Sequence, residues 1–189
     1  MKIEIIRHEK VDMSWDKKYN ATAYDLACNT YDKSPIILER KSSIKVDSAK
    51  PIYISELSRA YETACKIFDK TTFYKTALLN EVPLISFKDT NKTYPLWLWN
   101  IAGRMQWFWG NKRQPESKNE TILRAKKMIK LLEKQGEDCY IITHGFYMRI
   151  FIIQLKKQGY KIRKPRLFGI SNLGRIIAEK TLLPINMIT

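Results

Sequence analysis

The sequence predicts an α/β domain of three layers, in which a mostly parallel central sheet is covered by helices on both faces. Short apolar runs, typical of buried strands, alternate with longer stretches whose apolar residues recur every three or four positions. The 189-residue chain is long enough to bury one core, and it contains neither an internal repeat nor a low-complexity linker. We therefore expect a single domain over residues 1–189.

The first half of the chain contains the expected strands and helices in alternation. Lys2–Ile6 and Ile52–Ile54 are short apolar runs of the kind that form buried strands. A helix is expected from about Glu56 to Asp69, where apolar residues recur at intervals of three and four. Phe73–Leu79, rich in aromatic and branched residues, is a further strand candidate.

The second half shows the same alternation with stronger helix signals. Ser117, followed three residues later by Glu120, forms a capping box that opens a helix, and Gly136 should end it. A compact strand, Cys139–Thr143, and a third helix, Phe146–Gln158, follow. Because strands that alternate with helices form parallel sheets, this order predicts the three-layer fold.

The composition is that of a soluble globular protein and contains no membrane-spanning segment. The N-terminal run before Arg7 is too short for the apolar part of a signal peptide, and no apolar window is long enough to span a bilayer. Cys28, Cys65 and Cys139 are widely spaced and have no neighbours at ligand spacing, which is typical of reduced thiols. We therefore expect a cytoplasmic protein that uses no metal or other cofactor.

Positive charge is concentrated in the second half of the chain. The protein carries 34 basic and 19 acidic side chains, a net charge of +15, and residues 88–189 hold 20 of the former against 7 of the latter. No acidic residue lies between Asp138 and Glu179, whereas basic residues cluster from Lys156 to Arg166. Such a surface attracts nucleic acid, an anionic membrane surface or phosphorylated small molecules, and a solvated lysine-rich surface without a partner is the alternative.

The sequence contains two histidines, and each lies where a predicted strand runs out. His8 follows the strand Lys2–Ile6 after one arginine, and His144 follows Cys139–Thr143. In open α/β sheets ligands bind at the carboxyl ends of the strands. Two histidines placed there therefore indicate a functional site rather than two structural imidazoles.

Two arginines belong to the same expected edge of the sheet. Arg7 precedes His8 directly, and Arg59 lies near the start of the helix that follows Ile52–Ile54. A guanidinium group matches phosphate oxygens in pairs, and a helix N-terminus adds unsatisfied N–H groups. These residues therefore predict a pocket for a tetrahedral dianion.

Four motifs, in this order, resemble those of the histidine phosphatase superfamily, the phosphoglycerate-mutase-like enzymes, in the branch whose acid lies in mid-chain. The resemblance extends from residue 1 to about residue 180. The motifs are Arg7-His8, the run Ser55…Arg59-Ala60…Thr63-Ala64, Asn80-Glu81-Val82-Pro83-Leu84, and Thr143-His144-Gly145…Arg149.

The resemblance implies a role for each matching residue. His8 would attack phosphorus and form a phosphohistidine, while Arg7, Arg59 and His144 would hold the transferring oxygens. Glu81 would donate a proton to the leaving oxygen and later accept one from water. Elementary chemistry agrees, because imidazole is a nucleophile and arginines can supply the positive charge that other phosphatases take from metal ions.

Two positions depart from the family pattern. The family usually has glycine after the Arg-His pair, where this chain has Glu9, and it often has a second glycine where this chain has Phe146. Gly145 is retained and belongs with the expected phosphate-binding residues. A carboxylate at position 9 has to point away from the phosphate or repel it.

The stretch Lys88–Gln114 is rich in aromatic residues and is expected to pass over one edge of the domain as an insert. In the resembling family the segment after the acid shapes the substrate pocket, which makes the insert a candidate lid with Gly103 and Gly110 as hinges. Subdomain core packing, a dimer contact and stacking on nucleic-acid bases are the alternatives. The substrate-pocket candidates are Trp97, Trp99, Arg104 and Trp107.

The sequence thus predicts a metal-independent phosphomonoesterase for a small phosphorylated, multiply anionic substrate. A phosphoglycerate-type mutase is an alternative, but the chain lacks room for longer substrate-capping insertions. The second alternative is a non-catalytic anion- or nucleic-acid-binding module, in which Glu9 would mark an inactivated catalytic site. We expect a small phosphorylated substrate as the partner, with nucleic acid a lesser alternative, no membrane, and a homodimer left open.

Overall fold

A six-stranded sheet forms the centre of the computed structural model, which describes residues 1–37, 46–47, 49–68, 72–163 and 170–181. Within these residues the strand order is β4-β3-β6-β1-β8-β7, and a separate two-stranded sheet pairs β2 with β5. The strands are β1 (Lys2–Arg7), β2 (Lys18–Tyr19), β3 (Ile52–Ile54), β4 (Tyr74–Lys75), β5 (Tyr94–Pro95), β6 (Cys139–Thr143), β7 (Lys161–Arg163) and β8 (Arg175–Glu179).

The sheet is mostly parallel, as predicted. β1 pairs in parallel with β6, β6 with β3, and β3 with β4. β8 runs antiparallel to both of its neighbours, β1 and β7. The parallel strands β3 and β6 are buried along their whole length, which explains why their sequences are continuous apolar runs rather than alternating ones.

Helices cover both faces of the sheet, which confirms the α/β class. One face, with Ile3, Ile5 and Ile141, packs on α4 and α5; the other, with Ile6 and Ile142, packs on α2. Alternate residues of β1 reach opposite faces because side chains alternate along a strand. The helices are α1 (Ala21–Lys33), α2 (Ser58–Phe68), α3 (Leu96–Trp109), α4 (Lys118–Gln135) and α5 (Gly145–Lys157), with a 3-10 turn at Ala77–Leu79.

The strongest sequence signals are found where they were predicted. Ser117 and Glu120 form the capping box of α4, and Gly136 ends the helix in the left-handed conformation with φ of 71°. The expected strand at Phe73–Leu79 is reduced to Tyr74–Lys75, because the chain then turns into the 3-10 segment. The predicted helix end at Asp69 and the cluster residues Lys164 and Arg166 lie outside the described residues.

The segment Lys88–Gln114 contains a helix that the sequence pattern did not reveal. The 14-residue helix α3 packs on α1 through the stacked rings of Trp99 and Tyr24, whose centroids lie 5.3 Å apart. Large apolar residues occupy its outward face as well as its inward one, so the helical period is hidden. None of the described helices is long and apolar enough to cross a membrane.

Candidate active site

Three strand ends bring the predicted site residues together at the carboxyl edge of the sheet. His8 follows β1, and its backbone N–H donates to the carbonyl of Thr143, the last residue of β6, at 3.0 Å. His144 comes next in the chain, and the centroids of the two imidazole rings lie 5.0 Å apart. Ser55 follows β3, and its N–H donates to the carbonyl of Ile142.

His8 is held as a neutral imidazole with one defined tautomer. The residue is 2% exposed, and Nδ1 lies 2.6 Å from the carbonyl oxygen of Glu9. Because a carbonyl oxygen only accepts, Nδ1 carries the proton and the lone pair is on Nε2. Burial and the positive charge of Arg59 lower the pKa of His8 to about 3. His8 is therefore uncharged near neutral pH, as a nucleophile must be.

A chain of hydrogen bonds connects Arg59 to His144, Ser55 and Asn80. The Nε of Arg59 donates to Nδ1 of His144 at 3.1 Å, so Nε2 of His144 carries the proton and donates to Ser55 Oγ at 2.7 Å. The Ser55 hydroxyl then donates to Asn80 Oδ1 at 2.9 Å. Burial and the neighbouring His8 lower the pKa of His144 well below its usual value. Both ring nitrogens of His144 are engaged, so a bond from this ring to a phosphoryl oxygen requires one of them to change partner.

The outer side of Arg59 is paired with α1. Its guanidinium is almost fully buried, and Nη1 donates to the carboxylate of Asp32 at 2.9 Å. The guanidinium carbon lies 5.0 Å from the centroid of the Tyr31 ring. Asp32 is half-exposed, so Arg59 lies between the buried histidines and a carboxylate that faces solvent.

Arg7 packs tightly against Gly145, the first residue of α5. Its Nη1 donates to the carbonyl of Ile170 at 2.6 Å, and its buried Nε has no hydrogen-bond partner among the described residues. A Cβ at position 145 would lie 3.0 Å from both Cζ and Nε of Arg7. Glycine at this position therefore permits the approach of the guanidinium to the start of the helix.

Glu81 binds the N-terminus of α5 instead of pointing freely into solvent. Its carboxylate accepts backbone N–H bonds from Phe146 at 3.1 Å, Tyr147 at 2.8 Å and Val82 at 2.9 Å. These N–H groups include ones left unpaired at a helix start, and the positive end of the helix dipole faces the carboxylate. A proton on Glu81 would weaken these bonds, because a neutral carboxyl group is a poorer acceptor than a carboxylate.

Both departures from the family pattern have structural partners. The Glu9 carboxylate is buried, and it pairs with Lys66 of α2 at 3.1 Å. The Phe146 ring packs against Trp107, with centroids 5.0 Å apart, and under the guanidinium of Arg104 at 3.8 Å. The negative charge of Glu9 is therefore paired with a lysine, and Phe146 adds no charge.

A cavity of about 570 Å³ opens beside Arg59. Arg104 lines it from α3 and donates from Nη2 to the carbonyl of Val82, while its buried Nη1 has no partner in the described part of the chain. Burial lowers the pKa of Arg104, although nearby Glu81 opposes the shift. The lining includes three aromatic and six charged side chains: Trp15, Tyr24, Tyr31, Asp32, Arg59, Glu81, Arg104, Glu116 and Arg124.

The tryptophans of the insert do not form the predicted pocket wall. Trp99 and Trp107 are buried in the core, where their indole N–H groups donate to the Tyr19 carbonyl and the Thr121 hydroxyl. Trp97 is exposed. Of the four substrate-pocket candidates, Arg104 is the one that lines the cavity in the described structure.

The two glycines predicted as hinges of the insert have other roles in the structure. Gly103 is buried within α3, where a Cβ would come within 2.7 Å of the Leu84 side chain. Any larger residue there would have to displace the Leu84 side chain in the loop after Glu81. Gly110 ends α3 in the left-handed conformation, with φ of 71°.

Sequence reasoning missed the wall that α1 contributes to the cavity. Tyr24, Tyr31 and Asp32 all lie on this helix, which was not predicted. A usable signal was present, because Asn20 is the N-cap of α1 and its side chain accepts from Ala23 N–H. The apolar face of α1 is interrupted by polar residues, which weakens its helical period.

Comparison with known proteins places the chain in a family. A family model described as the histidine phosphatase superfamily (branch 1) matches residues 36–180, which is most of the chain. The matched region begins after Arg7-His8, and the structure places this pair beside Arg59 and His144 of the matched region. No curated protein sequence matches the chain.

Solved structures with the same fold include phosphatases. A phosphoserine phosphatase mutant from Entamoeba histolytica in complex with phosphoserine has a TM-score of 0.56 and 18% identity, over 93% of this chain and 89% of that one. A mycobacterial glucosyl-3-phosphoglycerate phosphatase has a TM-score of 0.53 and 16% identity, over 82% and 79%. An alpha-ribazole phosphatase from Shigella flexneri has a TM-score of 0.53 and 18% identity, over 82% and 79%.

The fold and the family match together define a phosphatase-type α/β protein. The chain belongs to the histidine phosphatase superfamily, which confirms the resemblance predicted from the sequence and the expected class of enzyme, a phosphatase. The roles of the individual site residues remain predictions.

Proposed function

We propose that the protein is a metal-independent phosphomonoesterase that acts through a phosphohistidine on His8. The observation that carries the proposal is the state of the His8 ring. It is buried and neutral, and its proton is fixed on Nδ1 by the Glu9 carbonyl. The lone pair on Nε2 would then attack phosphorus, and the positive charges of Arg59 and Arg7, which help to lower the pKa of the ring, would attract the phosphate.

The reaction follows in two steps. In the first, Nε2 of His8 forms a bond to phosphorus as the ester P–O bond breaks, and the leaving oxygen takes a proton from the carboxyl group of Glu81. In the second, water attacks the phosphohistidine, Glu81 accepts the proton, and inorganic phosphate leaves with His8 restored. Phosphoryl transfer demands mainly positioning and charge stabilisation, which Arg7 and Arg59 would supply.

The charges around the cavity support a substrate with a second anionic group. Arg124 is held by Glu116 in a two-point ion pair, and Arg59 is held by Asp32. Arg104, in contrast, presents a buried Nη1 that no described residue accepts from. A carboxylate or a second phosphate of the substrate would pair with this guanidinium.

The aromatic side of the cavity would contact the carbon body of such a substrate. Trp15 and Tyr31 contact each other, with ring centroids 5.4 Å apart, and both line the cavity. Phosphoserine, the ligand named for the Entamoeba phosphatase, carries a carboxylate beside its phosphate. It is therefore the first compound to test.

The experiment measures hydrolysis of p-nitrophenyl phosphate, phosphoserine and a panel of phosphorylated metabolites in EDTA. We expect turnover by the intact protein and none by the His8→Ala variant. A rapid quench should trap acid-labile, base-stable phosphate on His8.

Two outcomes would overturn the proposal. One is the absence of turnover across the whole panel, together with a salt-dependent shift in the electrophoretic mobility of nucleic acid when the protein is added. This result would favour a binding module. The other is labelled phosphate that still appears on the His8→Ala protein, since the nucleophile would then be another residue.

A further inference from the structure

An apolar stripe runs along the outward face of α3. The five side chains that form it are 46–70% exposed. Their spacing places them on one side of the helix over a length of about 18 Å. Folded proteins rarely leave a continuous apolar surface of this kind uncovered. The members of the stripe are Trp97, Ile101, Met105, Phe108 and Trp109.

The fold itself does not require this stripe. The inward face of α3 already packs in the core through Trp99 and Trp107, and the side with Asn100 and Arg104 lines the active-site cavity. The outward face could therefore be polar without loss of core or cavity contacts. Among the described residues, none covers it to the degree that would bury it.

Lysines lie near both ends of the stripe. At the N-terminal end, Lys18 belongs to the strand that pairs with Tyr94–Pro95, and the N–H of Leu96 donates to the carbonyl of Lys17. At the C-terminal end, Lys118 lies over the Phe108 ring, with Nζ 3.7 Å from its centroid.

A surface depression of about 570 Å³ adjoins the C-terminal end of the stripe. Phe108, Trp109, Lys112 and Lys118 are among the residues that line it. Glu120 also lines it, but its carboxylate is engaged by the N–H of Ser117 at 2.7 Å. The depression therefore combines aromatic rings with ammonium groups at the surface.

We propose that this stripe, together with its lysines, docks the protein on a membrane surface rich in anionic lipid, with α3 lying in the plane of the interface. Aromatic and aliphatic side chains on one helix face, bordered by lysines, are what interfacial helices present to acyl chains and anionic headgroups. The inference revises the sequence expectation of no membrane partner. It is independent of the proposed function.

Charge favours a lipid surface over a second copy of the chain. In a symmetric contact of α3 with α3, lysines at the end of one stripe would face lysines of the other, and each copy carries a net charge of +15. An anionic bilayer meets the same lysines with opposite charge. The branched and thioether side chains of Ile101 and Met105 also suit acyl chains better than stacked bases.

The test measures binding of the full chain to vesicles of phosphatidylcholine with and without phosphatidylglycerol. We expect at least tenfold stronger binding to the anionic vesicles, and at least a tenfold loss in the Trp97→Gln/Trp109→Gln variant. The matched control, Leu131→Gln/Ile153→Gln, removes exposed apolar side chains from α4 and α5 and should bind like the parent. Because all four side chains are exposed, these variants should fold.

The lysines have a paired test. Lys112→Glu should weaken binding to the anionic vesicles, whereas Lys130→Glu, an exposed change on α4, should not. Equal binding to both kinds of vesicle, or unchanged binding by the tryptophan variant, would overturn the proposal. A third outcome would also overturn it: the parent protein binds no vesicles and sediments as a dimer, and the Trp97→Gln/Trp109→Gln variant sediments as a monomer. The stripe would then be a contact between copies.

Discussion

Asp32 should compete with the substrate for Arg59, and its removal should tighten the binding of anions. The carboxylate accepts from Nη1 of Arg59 at 2.9 Å and also lines the cavity. A phosphoryl group bound to Arg59 would therefore come close to a fixed negative charge. We expect Asp32→Asn to lower the inhibition constant of vanadate, a phosphate analogue.

The magnitude follows from the distance and the exposure. Two unit charges about 4 Å apart interact by about 4 kcal/mol at an effective dielectric constant of 20. Asp32 is half-exposed, so solvent screening reduces its effect on a bound anion to about 1 kcal/mol, which is about fivefold in the inhibition constant. The free energy of unfolding should fall by about 1–2 kcal/mol, because buried Arg59 loses a charged partner.

Vanadate inhibition and urea unfolding of Asp32→Asn test both parts. Glu137→Gln, an exposed change that is absent from the cavity lining, is the control and should leave both quantities unchanged. Weaker vanadate binding in Asp32→Asn would refute competition, because Asp32 would then serve to hold Arg59 in its binding position.

Three further predictions concern the proton donor, the glycine and the histidines. Glu81→Gln should slow alkyl phosphates by about 10²-fold or more and aryl phosphates much less, since an aryl leaving oxygen needs little protonation; equal losses would reject the role. Gly145→Ala should lower kcat/KM by up to about 10²-fold with little change in the urea midpoint, because the added Cβ displaces Arg7; unchanged kinetics would show that Arg7 needs no fixed position. Since the pKa of His8 is lowered to about 3 and that of His144 also falls well below its usual value, neither ring should titrate by NMR between about pH 5 and pH 8. The unfolded chain takes up these protons near pH 6.5, so the free energy of unfolding should fall below that pH, by up to about 1.4 kcal/mol per pH unit for each histidine; a flat profile would contradict the shifts.

The sequence was sufficient to predict which residues meet at the carboxyl edge of the sheet, because the signals that identify them are local. His8 and His144 each follow a short strand rich in isoleucine, and parallel pairing of β1 with β6 then places both at one edge. The capping box at Ser117 likewise needs only four residues to be recognised.

The cavity was not predictable in the same way, because its walls come from packing between distant segments. Asp32 reaches Arg59 across 27 positions of the chain, from a helix with a weak period. The family resemblance predicted a pocket role for the tryptophans of Lys88–Gln114, whereas burial divides those of α3 between the core and the outer surface. The sequence does not show which face a tryptophan takes when large apolar residues occupy both the inward and the outward face of a helix.

Phe146, which replaces a glycine of the family pattern, has a role that only the structure makes visible. Its ring lies 3.8 Å from the guanidinium of Arg104, whose other contacts are the Val82 carbonyl and the cavity. We expect Phe146→Gly to raise KM for a doubly anionic substrate about tenfold, because the Arg104 guanidinium loses the ring that it packs against. Arg104→Met should raise KM by a similar factor, because the guanidinium itself is removed.

A double-mutant cycle separates this role from general loosening of the site. If Phe146 acts by positioning Arg104, the double variant Phe146→Gly/Arg104→Met should be no worse than Arg104→Met alone. KM for p-nitrophenyl phosphate, which has no second anionic group, should stay within about twofold in all three variants. Additive losses, or equal losses on both substrates, would refute the coupling, and the phenylalanine would then act only in packing against Trp107.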